Sequence, residues 1–416
     1  MNRLIVCIIA AASCMSLHAQ KKIYIPEDLR GMDLQADTSK WSFQRSLETD
    51  DLILMWERGF GSDTSNPPAL DGKPMAFNLE NLKNRVQSFY YFFRDTLAFT
   101  QPGSKADRYK MMVMVMYSLD GTAYGGTYDN FIGALWVAPN RIQDEKLNCM
   151  AHELGHSFQL QIPADSVGDA WGGTGFFEMT SQWMLWQVNP DWLTDENYHF
   201  EAFKKLTHKA YLDLENIYHS PYVIQWWSDL HGRQSIAELY RKGRRGEDPV
   251  MTYKRMYGMS QREFNDEMFR GYQHLVNFDF NHARKETRKY ACTFNTELET
   301  TDGWCRPKLT PEEYGFNAIL LDEQVNLKDR NFSLQLKGDN LRYGFVGVTT
   351  DGGSLYSDVN ATTFAVPAGK TLAHLYLIVM GAPMLHQQLR MPMHNHQEPN
   401  VSNTQFPYTF RLLNKR

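Results

Sequence analysis

The chain has 416 residues, 43% of them hydrophobic and 22% charged, with a formal net charge of −5. That is ordinary globular material, long enough for two hydrophobic cores, and its charge argues against an electrostatic footprint for nucleic acid. The one dense basic cluster, Lys242-Gly243-Arg244-Arg245, reads as a solvated turn.

Residues 1–20 read as a signal peptide: Arg3, an apolar run from Leu4 to Leu17, then the small residue Ala19 before Gln20. The run is too short to span a membrane as a stable helix, and no other stretch is long enough. The expectation is a soluble protein, secreted or periplasmic, with cell-surface attachment as a variant. Ala11-Ala12-Ser13-Cys14 weakly resembles a lipoprotein box without its usual Leu, which makes a lipid anchor at Cys14 the lesser alternative. Cys149 reads as a small apolar packer. Cys292 and Cys305 could close a disulfide in an oxidising compartment or stay free.

Residues 21–40 are polar and irregular, an extended lead-in. Asp51 to Trp56 is an apolar run that reads as a buried strand. Leu79, Leu82, Val86, Phe89 and Phe93 recur at helical spacing. Tyr109 to Tyr117 reads as a central strand whose methionines fill core space. Gly121 to Gly126 breaks it, and Ile132 to Val137 follows as a strand that Pro139 pushes toward an edge.

Asp144 to Phe158 carries apolar residues on one helical face, with Asp144 as N-cap and Pro163 beyond the end. On this helix lies His152-Glu153-Leu154-Gly155-His156, an HExxH pattern. Residues four apart sit one above the other, so both imidazoles can reach one tetrahedral metal. Glu153 beside them can take a proton from a water that the metal activates. The bland alternative is a solvated helix face.

Such a zinc site needs a third protein ligand, and Glu178 is the candidate, near the start of a second buried helix entered from a Gly-rich loop. A lone Glu among aromatics needs a partner, because burying an unpaired carboxylate is costly. An indole N–H of Trp171 or Trp183 is the alternative partner. Gln182, one turn on, can hydrogen-bond a ligand imidazole.

Past a break at Asn189-Pro190, Glu196 and His199 form an E-x-x-H that raises a ferritin-like di-iron site. It is rejected, because Pro190 and the short spacing leave no room for four long helices. His219 to Gly232 reads as a helix, followed by helical segments through Leu275. Beyond Asn281 short alternating runs separated by turn residues give the signature of a β-sandwich. His394 and His396 read as exposed tail residues.

The HELGH pattern with a downstream helical Glu is similar to the gluzincin branch of zinc metallopeptidases, and the helical series after it resembles peptidase-MA-like zincin domains. The resemblance implies Zn2+ held by His152, His156 and Glu178, with Glu153 as base. It also implies a tyrosine that donates to the oxyanion, Tyr222 being the choice and Tyr218 and His219 competitors. Substrate would pair along Ile132 to Val137 by strand addition. One departure stands out: thermolysin-like enzymes carry Asp four residues after the ligand Glu, where this chain has Gln182. The whole chain resembles secreted bacterial zincin-like proteins.

The expected fold class is α+β. A zincin-type metallopeptidase domain of a small sheet plus helices (21–280) would be followed by a linker (281–320) and an all-β sandwich (321–416). The expected function is an exported zinc-dependent peptidase acting on peptides, proteins or glycoproteins, with glycan contact through the β-domain. The alternative is a surface glycan- or protein-binding module whose zinc site is structural or vestigial.

Overall fold

A computed structural model describes residues 20–281, 284–389 and 401–413. The proposed signal peptide with Cys14, and the tail histidines His394 and His396, lie outside the described residues. Among the described residues the architecture is mixed α+β with three sheets.

The first sheet has the order β1-β2-β3-β5-β4, built from β1 (Ser46–Glu48), β2 (Leu52–Trp56), β3 (Met111–Val115), β4 (Ala123–Tyr128) and β5 (Ile132–Val137). β2, β3 and β5 run parallel. Buried on both faces, β2 and β3 are continuous apolar runs rather than alternating ones. Helix α1 (Leu79–Tyr91) starts at Asn78, whose side chain accepts from the Asn81 N–H.

Two expectations are corrected here. β5 is no edge strand, because it pairs with β3 on one side and antiparallel with β4 on the other. The Gly-rich stretch expected as a break supplies that outer strand, β4, so the free edge belongs to Ala123–Tyr128.

The motif helix α2 (Asn148–Ala164) begins three residues later than expected and includes Pro163 in its last turn. Asp144 does not cap it; its carboxylate accepts from the Leu147 N–H in the preceding turn, where Leu147 takes φ 54°. Then come α3 (Gly175–Val188), α4 (Trp192–Asp195), α5 (Asn197–Leu206), α6 (Tyr222–His231), α7 (Gln234–Lys242), α8 (Pro249–Tyr257) and α9 (Gln261–Val276), the last opened by a Ser260/Glu263 capping box. A short α10 (Arg284–Thr287) leads to the β-region. Among the described residues no helix is long and apolar enough to cross a membrane.

The β-region is two further sheets. One has the order β11-β10-β13-β8 and the other β12-β9-β14-β7-β6. The strands are β6 (Leu298–Thr301), β7 (Trp304–Pro307), β8 (Phe316–Leu320), β9 (Asn331–Lys337), β10 (Leu341–Thr349), β11 (Ser354–Tyr356), β12 (Thr363–Ala365), β13 (Leu372–Gly381) and β14 (Thr409–Leu412). Residues 281–320 are therefore no plain linker; β6, β7 and β8 lie within them. β6 and β7 are short and mostly exposed, so they lack the apolar alternation that would have announced them.

β13 explains how the parts join. Leu375, Leu377 and Val379 face a core shared with Phe332, Leu334, Phe364 and Phe410 of the five-stranded sheet. Tyr376, Ile378 and Met380, on the opposite face, belong to the same continuous core as the helices. A sheet covered on both faces cannot show polar alternation.

The Cys292–Cys305 disulfide does not form; both thiols are free. Cys292 packs against the helical core and Cys305 against the sandwich core, on different sides of the shared sheet.

Candidate metal centre

α2 is buried along most of its length between the first sheet and α3, which fixes the direction of its histidines. The approach is closest at two glycines. A Cβ on Gly125 of β4 would stand 1.9 Å from the Glu153 carbonyl oxygen and 2.8 Å from His156 Cβ. A Cβ on Gly155 would stand 2.5 Å from Ser181 Oγ of α3, and that hydroxyl donates to the His152 carbonyl. Gly125→Ala should force β4 off the helix and lower stability by about 1–3 kcal/mol, read as a drop in denaturation midpoint.

Thr174 caps α3 by accepting from the Phe177 N–H, and this places Glu178 in the first turn, facing α2. The Glu178 Oε2 lies 3.2 Å from His152 Nε2 and 3.1 Å from His156 Nε2, and the two Nε2 atoms are 3.0 Å apart. Glu153 offers a carboxylate oxygen to the same cluster, its ligand atom and those of both histidines lying within 4.8 Å of one another. The structure thus brings together His152, Glu153, His156 and Glu178. The indole partners are not used: Trp171 Nε1 donates to the Glu247 carbonyl and Trp183 Nε1 to Gln225.

The tautomers of the imidazoles are fixed from behind. His152 Nδ1 lies 2.8 Å from Gln182 Oε1, and the Gln182 amide nitrogen donates to the Tyr218 carbonyl at 2.9 Å, which sets the orientation of that amide. His156 Nδ1 lies 2.8 Å from Gln159 Oε1, whose own amide nitrogen donates to the Phe177 carbonyl. Each Nδ1 is therefore a donor, and in the neutral rings each Nε2 presents a lone pair. Two lone pairs and a carboxylate oxygen then converge with no proton between them, an arrangement a cation stabilises. Atoms in tetrahedral contact with zinc stand roughly 3.3–3.4 Å apart, so the triangle needs to widen only slightly to fit the ion.

A proton on the imidazoles does in part what a cation would do: burial alone would raise the Glu178 pKa, but hydrogen bonds that His152 and His156 donate in that protonated state outweigh it and hold the carboxyl well below its usual range. Burial would lower His152, yet the Glu178 hydrogen bond and the neighbouring carboxylates raise it. Cys149 is pushed up to about 12 by burial and then by Glu153, so it stays a neutral thiol.

Tyr222 is the misplaced residue. Its ring is 2% exposed and packs against Trp186, Phe200, Phe203 and Phe278, with its hydroxyl unpartnered among the described residues. It is a core tyrosine, because the first turn of α6 points inward. Tyr218, in the loop before α6, is 42% exposed with its ring 5.9 Å from that of His152. Burial first, then the charges of Glu178 and Glu153, push its pKa up to about 12, which keeps the phenol protonated. Gln159 offered in the sequence only its spacing, three residues after His156; its full burial is visible only in the structure.

A model of a family described as "Family of unknown function (DUF6055)" matches residues 15–416. The chain belongs to DUF6055. No curated protein matches its sequence. Among solved structures, this DUF6055 chain is similar to the ZmpB metallopeptidase from Clostridium perfringens, with 14% identity and a TM-score of 0.33 over 82% of this chain and 67% of that one.

Proposed function

We propose that this protein is an exported zinc-dependent peptidase of gluzincin type that hydrolyses peptide bonds of proteins or glycoproteins. The observation that carries the reading is the convergence of His152 Nε2, His156 Nε2 and Glu178 Oε2, with both rings locked from behind and a free carboxylate, Glu153, alongside. Zinc, when bound, supplies a Lewis acid for the scissile carbonyl and the attacking water.

The chain supplies the rest. Glu153 accepts the proton of the attacking water and returns it to the leaving amine. The Tyr218 hydroxyl donates to the oxygen of the tetrahedral intermediate. An extended substrate adds to the free edge of β4, which Gly125 brings against the Glu153 turn. The zincin-like unit is the first sheet with α1–α9, and the sandwich is a docked second unit.

The deciding experiment is cleavage of a diverse peptide and glycopeptide library by residues 20–416, read by mass spectrometry. Chelator-sensitive products support the reading; one zinc per chain with no product from any substrate would overturn it. The two tyrosines give a sharper contrast. Tyr218→Phe is expected to lower kcat by roughly 10²–10³-fold with little change in KM. Tyr222→Phe should leave kcat unchanged and be neutral or slightly stabilising, because an unpartnered buried hydroxyl costs about 1–3 kcal/mol.

A further inference from the structure

The loop that carries Tyr218 runs from a helical turn at Leu214–Asn216 to the start of α6, and its ring is 42% exposed. An exposed ring on a loop has no reason to hold one position beside the metal ligands unless the loop itself is tied down. Two connections do this, both grounded on α2 and meeting where Gln182 Nε2 lies 3.5 Å from His199 Nε2.

The first runs through Gln182. Its oxygen lies 2.8 Å from the His152 Nδ1 and its nitrogen donates to the Tyr218 carbonyl at 2.9 Å. The second starts at Asn148, the first residue of α2, whose side chain donates to Glu196 Oε1 at 3.1 Å. Glu196 Oε2 accepts from Trp192 Nε1 at 2.8 Å and lies 3.5 Å from His199 Nε2. His199 Nδ1 then meets His219 Nδ1 at 2.7 Å, one of the two donating to the other. His199 is 9% exposed, and its ring contacts those of Trp192 and Tyr198, so it has little freedom to turn.

We propose that Glu196 and His199 are positioning residues that, with Gln182, clamp the Tyr218–His219 loop to the motif helix and so set the hydroxyl of Tyr218 over the metal centre. This gives the Glu196-x-x-His199 pair a role that ligates nothing. It rests on Tyr218 acting as the oxyanion donor for the effect on rate, but not for the effect on the loop. His199 reaches the reaction through His219 and Tyr218, and its Nε2 also lies 3.5 Å from the Gln182 amide nitrogen, so it touches both connections and ligates nothing.

The test compares the zinc-loaded full chain, His199→Phe, Tyr218→Phe and the double variant. His199→Phe is expected to lower kcat about tenfold with KM and zinc affinity little changed, because the interaction it loosens is made in the transition state and not with the ion. The double variant should be no slower than Tyr218→Phe alone, because both changes remove one interaction. Amide hydrogen exchange of residues 217–220 should speed up in His199→Phe. His199→Gln, which can still bond His219, should restore part of both.

His219→Leu gives the same exchange readout at a half-exposed position that does not threaten folding. Wild-type exchange in His219→Leu and His199→Phe, or additive losses in the double variant, would overturn the clamp. If the wild-type chain cleaves no peptide, the peptidase reading fails, and the exchange measurement still decides the clamp on its own.

Discussion

Glu153→Gln is expected to lower kcat by roughly 10²–10⁴-fold, the contribution of a positioned general base, while zinc still binds at one per chain. Glu153 shares a cluster with His152 and His156, yet the triangle of close contacts is made by His152, His156 and Glu178. The amide keeps the size and polarity of the side chain and removes its capacity to take a proton. KM should move little, because the carboxylate acts on the water and not on the substrate. The measurement is a pair of progress curves on any peptide the wild-type chain cleaves, with zinc content determined on the same samples. Equal loss of zinc and activity in Glu153→Gln would show the residue to be a ligand, and would point to a closed structural site.

The second large effect is on the metal itself. His156→Ala or Glu178→Ala removes one of three converging donors and is expected to abolish stoichiometric zinc, whereas Gln159→Leu should weaken it about 10–100-fold by freeing the His156 ring. Because the ion binds only the folded arrangement, a thousandfold excess over its Kd stabilises the fold by about 4 kcal/mol, and a chelator should remove that increment from the melting curve. The pH dependence has a definite sign. His152 is raised above its ordinary 6.5 in the folded chain, chiefly by Glu178 acting against burial. Below that raised pKa the proton occupies the imidazole and competes with zinc, so affinity should fall as pH drops through it and level off above. Competition against a chromogenic chelator from pH 5 upward measures this; flat affinity across the range would contradict the assigned ligand set.

The legibility of the site follows the range of the interactions that build it. HExxH was readable because both histidines and the glutamate sit within one turn and a half of a single helix, where spacing alone fixes direction. Glu178 was readable because a carboxylate among Phe176, Phe177 and Trp183 demands a partner. Tyr218 and Tyr222 could not be separated by such means. They are four residues apart across a helix start, and which one turns inward depends on how α6 packs against Trp186 and Phe203. Gly125 likewise looked like a turn residue, since its role is to leave room for Glu153 from another element.

By itself the sequence determined the parts set by local periodicity and local chemistry: most of the longer helices, the apolar strands β2 and β3, the candidate cluster His152, Glu153, His156 and Glu178, and the change from helical to β texture past residue 281. Only the tertiary structure decided which strand forms the edge beside α2, which tyrosine lies next to His152, that the cysteines stand on opposite sides of a shared sheet, and that three strands lie within the expected linker. Strand order, inward or outward facing and the pairing of distant side chains are settled by contacts between residues far apart in the chain, and spacing along the chain does not encode them.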